Sequence, residues 1–437
     1  MADPTFFEEL LAAPDRDNCP GAGRIVSYHA DEAPEELARL EQEASALVSL
    51  SRRGVRHGRY AEFEPADSTS ATQALFDERW HGARPLLLPE LVEPLSEELC
   101  AERQALFKSL AKPRGLRAFL EAKATDLMPE FLLGSDLRSL EDASRDLAGV
   151  GLEPSPRRGE PTPQSGPPWA KSGRLSTFGG DASLRLRLGF GEHGADDASR
   201  DQVRLRQVTR LAEALFPETQ ALHEHPQLGA LLSKWLGHEP AYSQHIAYWN
   251  APQGGALFHH DSFDESADGG QRGVLYAQQS GWTFWLAVSI DDLARRSMEF
   301  VEYLAEPDLA PLRKLLYPDP EVFERVQSWC KPGRFARLRG ELAKPRCGAL
   351  SSLVNRGPEF SGFLADAGHG YLLGPGDGIL LPNHGYDATC MHSVFCAGPE
   401  VGFGLSLALR SSADRSPPRT AHPATRSSRK GRPRRGR

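Results

Sequence analysis

Between residues 242 and 410 the chain breaks into short apolar runs separated by Gly-rich turns, and this patterning limits the fold more than any other feature of the sequence. It predicts strands near 242–249, 256–261, 273–279, 282–290, 371–373, 378–382, 391–396 and 401–410. Many short strands with turn signals between them make a barrel or a sandwich. A long interruption runs from about 291 to 366. Its Arg, Glu and Leu content, broken by Pro307, Pro311, Pro318, Pro320 and Pro332, predicts short helices inserted between barrel strands. An insertion of that length suits a lid or a substrate platform better than a bare loop.

The rest of the chain makes the whole α+β. Residues 1–150 read as a mostly helical N-terminal region: Leu37, Leu40, Ala44, Leu47 and Leu50 keep helical spacing after Pro34, Leu95 to Leu110 mark another helix, and 114–133 a third. No chemistry is visible there, and packing is its expected use, ahead of dimerisation or substrate capture. Residues 151–180 are rich in Pro, Gly and Ser and read as a linker or surface loop. Ser183 to Phe190 alternates strictly, as a half-buried strand should, and opens a domain expected to span 181–410. Helices are expected around Val208 to Leu215 and Leu228 to Leu236.

Composition narrows the functional classes. No run of 18 apolar residues occurs, so no membrane helix is expected, and the first residues lack the basic start and apolar core of a secretory signal. Six scattered cysteines without a Cys-x-x-Cys pair suit a reducing cytoplasm. Residues 411–437 hold nine Lys or Arg against Asp414, so the net charge of −8 hides an acidic body and a basic, disordered tail. Such a tail solubilises, and it offers weak contact to a polyanion. No phosphate loop ending in Gly-Lys-Ser/Thr and no Gly-x-Ser-x-Gly element is present.

Chemistry concentrates in two stretches, Phe258-His259-His260-Asp261 and Met391-His392-Ser393-Val394. Side chains on a strand repeat with period two, so His259 and Asp261 share a face while His260 points away. With His392 they form two imidazoles and a carboxylate, the facial donor set of non-haem iron(II) oxygenases. His384, in an Asn-His-Gly turn, competes with His392 as third ligand. Elsewhere His223 and His225 read as a surface turn and His245 as a barrel residue. Asp264 and Glu265 are placed to orient a metal-bound histidine or to meet solvent. Trp249, Trp282 and Trp285 line or support the barrel.

At these residues the sequence resembles a known family. His259-His260-Asp261-Ser262-Phe263-Asp264 looks like the His-x-Asp-x-x-Asp segment of JmjC-type and related cupin-like 2-oxoglutarate oxygenases. Gln278-Gln279-Ser280-Gly281-Trp282-Thr283-Phe284-Trp285 looks like their Gln-x-x-Gly-x-x-x-Trp strand. Gly374-Pro375-Gly376-Asp377 and His392 look like their Pro-Gly-Asp turn and closing histidine. The likeness covers about 242–410 and implies a double-stranded β-helix, cupin or jelly-roll core binding Fe(II) through His259, Asp261 and His392, with 2-oxoglutarate as co-substrate.

Two departures matter. Thr283 stands where the family often has a co-substrate-binding lysine, and Asn383 to Asp387 lengthen the path to His392. An alternative anchor follows from period two in 401–410, where Gly402, Gly404, Ser406 and Ala408 leave room along one face that ends in Arg410. Arg410-Ser411-Ser412 resembles the Arg-x-Ser element of other 2-oxoglutarate oxygenases, and guanidinium suits a carboxylate. Thr283 and Tyr248 would add hydroxyl contacts. The resemblance thus implies a hydroxylase acting on a protein or peptide side chain or on a small metabolite. Rivals are a cupin metalloenzyme without 2-oxoglutarate and a non-catalytic cupin-like binding protein. Oligomeric state is left open, a homodimer among the options.

Overall fold

A computed structural model of the protein describes residues 23–28, 47–51, 58–63, 73–112, 114–123, 131–137, 145–154, 163, 165–176, 180–194, 201–262, 271–356 and 358–410. The strands are β1 Gly23–Tyr28, β2 Leu47–Ser51, β3 Gly58–Phe63, β4 Leu86–Leu88, β5 Phe131–Asp136, β6 Asp146–Pro154, β7 Pro168–Arg174 and β8 Leu184–Phe190. They continue as β9 Ala241–Asn250, β10 Gly255–His259, β11 Gln271–Ser280, β12 Thr283–Ser289, β13 Gly370–Leu373, β14 Gly378–Pro382, β15 Cys390–Cys396 and β16 Gly402–Arg410.

β9 to β16 divide between two antiparallel sheets. One has the order β10-β15-β12-β13; the other, nine strands wide, runs β4-β14-β11-β16-β9-β8-β7-β6-β5. The chain passes back and forth between them, as in a jelly roll. Alternation along each strand then decides which core a residue joins. On β12, Phe284, Leu286 and Val288 pack outward against the helical insertion, while Trp285 and Ala287 face inward. On β16, Phe403, Leu405, Leu407 and Leu409 pack against the helices Glu97–Leu110, Gln202–Leu215 and Pro226–Leu236. Between the sheets lies a smaller apolar core that includes Val274, Tyr276, Trp285, Leu381 and Val394.

The strands expected from 242 onward form where the alternation put them, within a few residues at each end. The interruption folds as short helices, from Ile290–Ala305 to Pro358–Leu364, around one apolar cluster that includes Phe300, Leu338, Leu350 and Phe360. No helix of the described residues is long and apolar enough to cross a membrane.

The N-terminal expectations need correction. Leu47–Ser51 is strand β2, paired with β3, where a helix through Leu50 was expected; the preceding part of that segment lies outside the described residues. The helix expected over 114–133 ends at Ala122, and Phe131–Asp136 is β5. Within the expected linker, β7 is an interior strand paired with β6 and β8, with Trp169 and Ala170 buried. Pairing on both sides satisfies its backbone, and that tertiary contribution outweighs a Pro- and Gly-rich composition. The helix expected from Leu95 to Leu110 does form, as Glu97–Leu110, but the region up to 180 also lends β4 to β7 to the larger sheet and is mixed where a mostly helical one was expected. Asp264, Glu265 and the basic tail lie outside the described residues.

Candidate metal centre

Register brings the three ligands together. His259, the last residue of β10, stands directly opposite His392 on β15, and residues so opposed point to the same side of a sheet. Their rings lie 4.2 Å apart between centroids. Asp261 follows two residues beyond His259 and returns to that face. His259 Nε2 lies 3.9 Å from Asp261 Oδ1 and His392 Nε2 3.5 Å from Asp261 Oδ2. One donor atom from each of the three lies within 4.8 Å of the others. Ligands bonded to one ion at about 2.0–2.2 Å sit about 3 Å apart when adjacent, so a small closure would seat a metal.

The environment prepares the donors. His259 Nδ1 lies 2.6 Å from the Leu257 carbonyl; donating there leaves Nε2 as the ligating atom. Burial, followed by the neighbouring His259, drives the His392 imidazole down to about 3, against the opposing pull of Asp261 and the Cys390 backbone. It is therefore neutral, as a metal ligand must be. Burial also pushes the Asp261 carboxyl up, but His392, His259, His260 and Arg185 together hold it below the usual carboxylate range. Two imidazoles and a carboxylate make a mixed nitrogen and oxygen donor set that fits Fe(II).

His260 is excluded from the set by its own contacts. Its Nε2 donates to the Ala343 carbonyl at 2.9 Å and its Nδ1 accepts from the Ser262 amide at 3.2 Å. The insertion also takes both backbone groups of Phe258: Asn355 Oδ1 accepts from its amide at 2.8 Å and Cys347 Sγ approaches its carbonyl at 3.6 Å. His384, the competing ligand, donates from Nε2 to the Trp80 carbonyl at 2.6 Å and is not part of the cluster.

A cavity of about 510 Å³ opens in front of the triad. Tyr248, Ser406 and Ala408 line it as expected. Thr283 and Arg410 do not. Thr283 is fully buried and sits in a chain of side-chain hydrogen bonds: Trp285 Nε1 donates to Thr283 Oγ1 at 3.0 Å, which donates to Gln278 Oε1 at 2.8 Å, where Tyr276 Oη also donates at 2.7 Å. Gly404 is small because Tyr276 crosses it, a Cβ there falling 2.1 Å from Tyr276 Oη. The Gly402–Gly404 end of the row thus holds Tyr276 and Gln278, while Ser406 and Ala408 face the cavity. Arg410 is buried at the far end of β16, its Nε donating to Ser243 Oγ at 2.7 Å. Thr283 and Arg410, expected as co-substrate anchors, are thus not among the residues that line the cavity.

Sequence reasoning missed the cations that do line the cavity, Arg145, Arg185, Arg187 and Arg346. The signal was present for two of them. Arg185 and Arg187 fall on one face of the strictly alternating β8, and only its pairing with β9 turns that face toward the triad. Tyr248, opposite Arg185 on β9, has its phenol pushed up to about 12 by burial and by Asp261, with the arginines opposing.

No protein-family model matches the chain, and no curated protein matches it. Among solved structures it is similar to two of YcfD from Escherichia coli, one of them described as a ribosomal oxygenase. The first is 12% identical with a TM-score of 0.27, matching 80% of this chain and 55% of the other. The ribosomal oxygenase structure is 13% identical with a TM-score of 0.25, matching 79% and 52%. The chain thus spans just over half the length of each.

Proposed function

We propose that the protein is a non-haem Fe(II)- and 2-oxoglutarate-dependent oxygenase built on a double-stranded β-helix, most simply a hydroxylase. The observation that carries this reading is the convergence of His259 Nε2, His392 Nε2 and the Asp261 carboxylate at one end of a cavity large enough for a co-substrate and part of a substrate. When bound, iron with 2-oxoglutarate supplies oxidation of a substrate C–H bond by dioxygen, with decarboxylation of the keto acid to succinate. The chain's own residues hold and orient. His259 and His392 present ring nitrogens, Asp261 supplies the balancing charge, and Trp285 stacks on the His392 ring at 5.6 Å between centroids and limits its rotation. Sheet walls on two sides and the insertion on a third limit access of water. The substrate is a protein or peptide side chain or a small metabolite. Free thiols at Cys100, Cys330, Cys347, Cys390 and Cys396 suit a cytoplasmic setting.

A second reading is a cupin-type metalloenzyme that does not use 2-oxoglutarate. The position of Thr283 and Arg410 away from the cavity favours it. Anaerobic reconstitution with Fe(II), then titration with 2-oxoglutarate, separates the two. The proposed function expects a visible charge-transfer band, and succinate once oxygen is admitted. Stoichiometric iron with neither band nor succinate would give the case to the second reading.

A further inference from the structure

The residues Asn383 to Asp387, which lengthen the path to His392, fold between β14 and β15 as a loop that closes on its own base. Asn383 pairs with Thr389 in an isolated antiparallel bridge, and the His384 amide donates to the Ala388 carbonyl at 2.7 Å. Gly385 supplies the φ of 122° at the tip, which a side chain would resist. The loop touches several parts of the molecule. His384 reaches the Trp80 carbonyl, Tyr386 packs edge-on against the His260 ring at 5.5 Å between centroids, and Asp387 pairs with Arg339 of the insertion at 3.4 Å. At the base Thr389, fully buried, donates to Asn383 Oδ1 at 2.5 Å and accepts from Ser262 Oγ at 2.8 Å.

That last bond matters because of where Ser262 stands. β10 ends at His259, so Asp261 lies beyond the ladder that sets His259 against His392. Among the described residues, the Asp261 carboxylate has the two imidazoles 3.5 and 3.9 Å away and no hydrogen bond from a side chain to orient it. Its backbone is held instead by the residues on either side. His260 is tied to Ala343 and accepts from the Ser262 amide, and Ser262 is tied through Thr389 to Asn383. Thr389 is itself anchored, its carbonyl accepting from the Ile290 amide at 2.9 Å. A ligand held in this way is oriented before the ion arrives, whereas one on an untied backbone must be ordered at the moment of binding.

We propose that Ser262 and Thr389 are positioning residues for Asp261, and that the loop 383–389 is the strut that carries them. Neither side chain need touch the ion; both act through the Asp261 backbone. Asn383 turns the Thr389 hydroxyl so that its oxygen is free to accept from Ser262. This role rests on metal binding at the triad and not on 2-oxoglutarate.

The test is anaerobic titration of the full chain with Mn(II), alongside urea unfolding of the metal-free form. Ser262→Ala and Thr389→Val each remove one hydroxyl and should weaken Mn(II) binding by about 10- to 100-fold. The urea midpoint should fall by less than about 0.5 M in each. Thr389→Ser keeps the hydroxyl and should bind within about threefold of the wild type. The double variant Ser262→Ala/Thr389→Val should bind no more weakly than the weaker single, since both break one link. Asp387→Ala, at the exposed end of the loop, should change affinity by less than about twofold. Should Thr389→Val prevent folding, Ser262→Ala at the cavity edge carries the test. Wild-type affinity in folded Ser262→Ala would overturn the positioning role, as would equal losses in Thr389→Ser and Thr389→Val. A wild-type chain that takes no metal would overturn it together with the oxygenase reading. Weakened Mn(II) binding by Ser262→Ala, in a chain that gives neither charge-transfer band nor succinate, would refute that reading and still support the role of Ser262.

Discussion

At the scale of single residues, neighbouring histidines in one short segment divide the work. His259 and His260 are adjacent, yet only the first can ligate, because the second is committed to the insertion at Ala343. Substituting His259, Asp261 or His392 by alanine is expected to lower metal occupancy at least tenfold, whereas His260→Ala should retain metal; elemental analysis of anaerobically purified variants checks both. Gly404 yields a stability prediction. A methyl group there meets the Tyr276 ring and hydroxyl within 2.1–2.8 Å, and Tyr276 is held by Gln278 in a buried position. Gly404→Ala should destabilise the fold by about 1–3 kcal/mol, the usual cost of overpacking, read as a lower urea midpoint.

Among the elements, β10 and the helical insertion act as one unit. Phe258 joins the insertion's apolar cluster while its backbone bonds Asn355 and Cys347. Removing the His260 link should cost about 0.5–1.5 kcal/mol and speed amide exchange in the helix Phe335–Leu342 ahead of the sheets; uniform exchange across both would contradict this coupling. The elements also show what a sequence can and cannot tell. Period two alone located β9 to β16, since each strand there has one face on an apolar core. It also put His259 and Asp261 on one face, whereas the pairing that sets His392 opposite His259 is suggested by the family resemblance and not by alternation. It could not reveal that β4 to β7 join the larger sheet, since pairing partners far apart in sequence leave no local trace. Period two gave the face of Arg410 correctly, and Ser406 and Ala408 on that face line the cavity. The alternation could not show that Tyr276 and Gln278 of β11 fill the Gly402–Gly404 end or that the lining stops short of Arg410.

For the molecule as a whole, buried imidazoles make stability depend on pH. Burial pushes His369 down to about 4 and holds His245 well below its usual value, His223 adding to the effect on His245. Both folded values lie below the unfolded one near 6.5. The unfolded chain therefore binds more protons as pH falls through this window, and stability is lost with it. Each imidazole contributes up to about 1.4 kcal/mol per pH unit over the window. The metal-free protein should unfold at lower urea at pH 5 than at pH 7, and His369→Leu should flatten that difference. A midpoint independent of pH between 5 and 7 would contradict it.

The two anchor points of Phe258 have a further meaning. A strand whose last residue is placed to ligate an ion, and whose penultimate residue is bonded to the helical insertion, cannot shift at one end without tugging the other. A displacement at His259 would therefore be carried through Phe258 into the helices that hold Asn355 and Cys347.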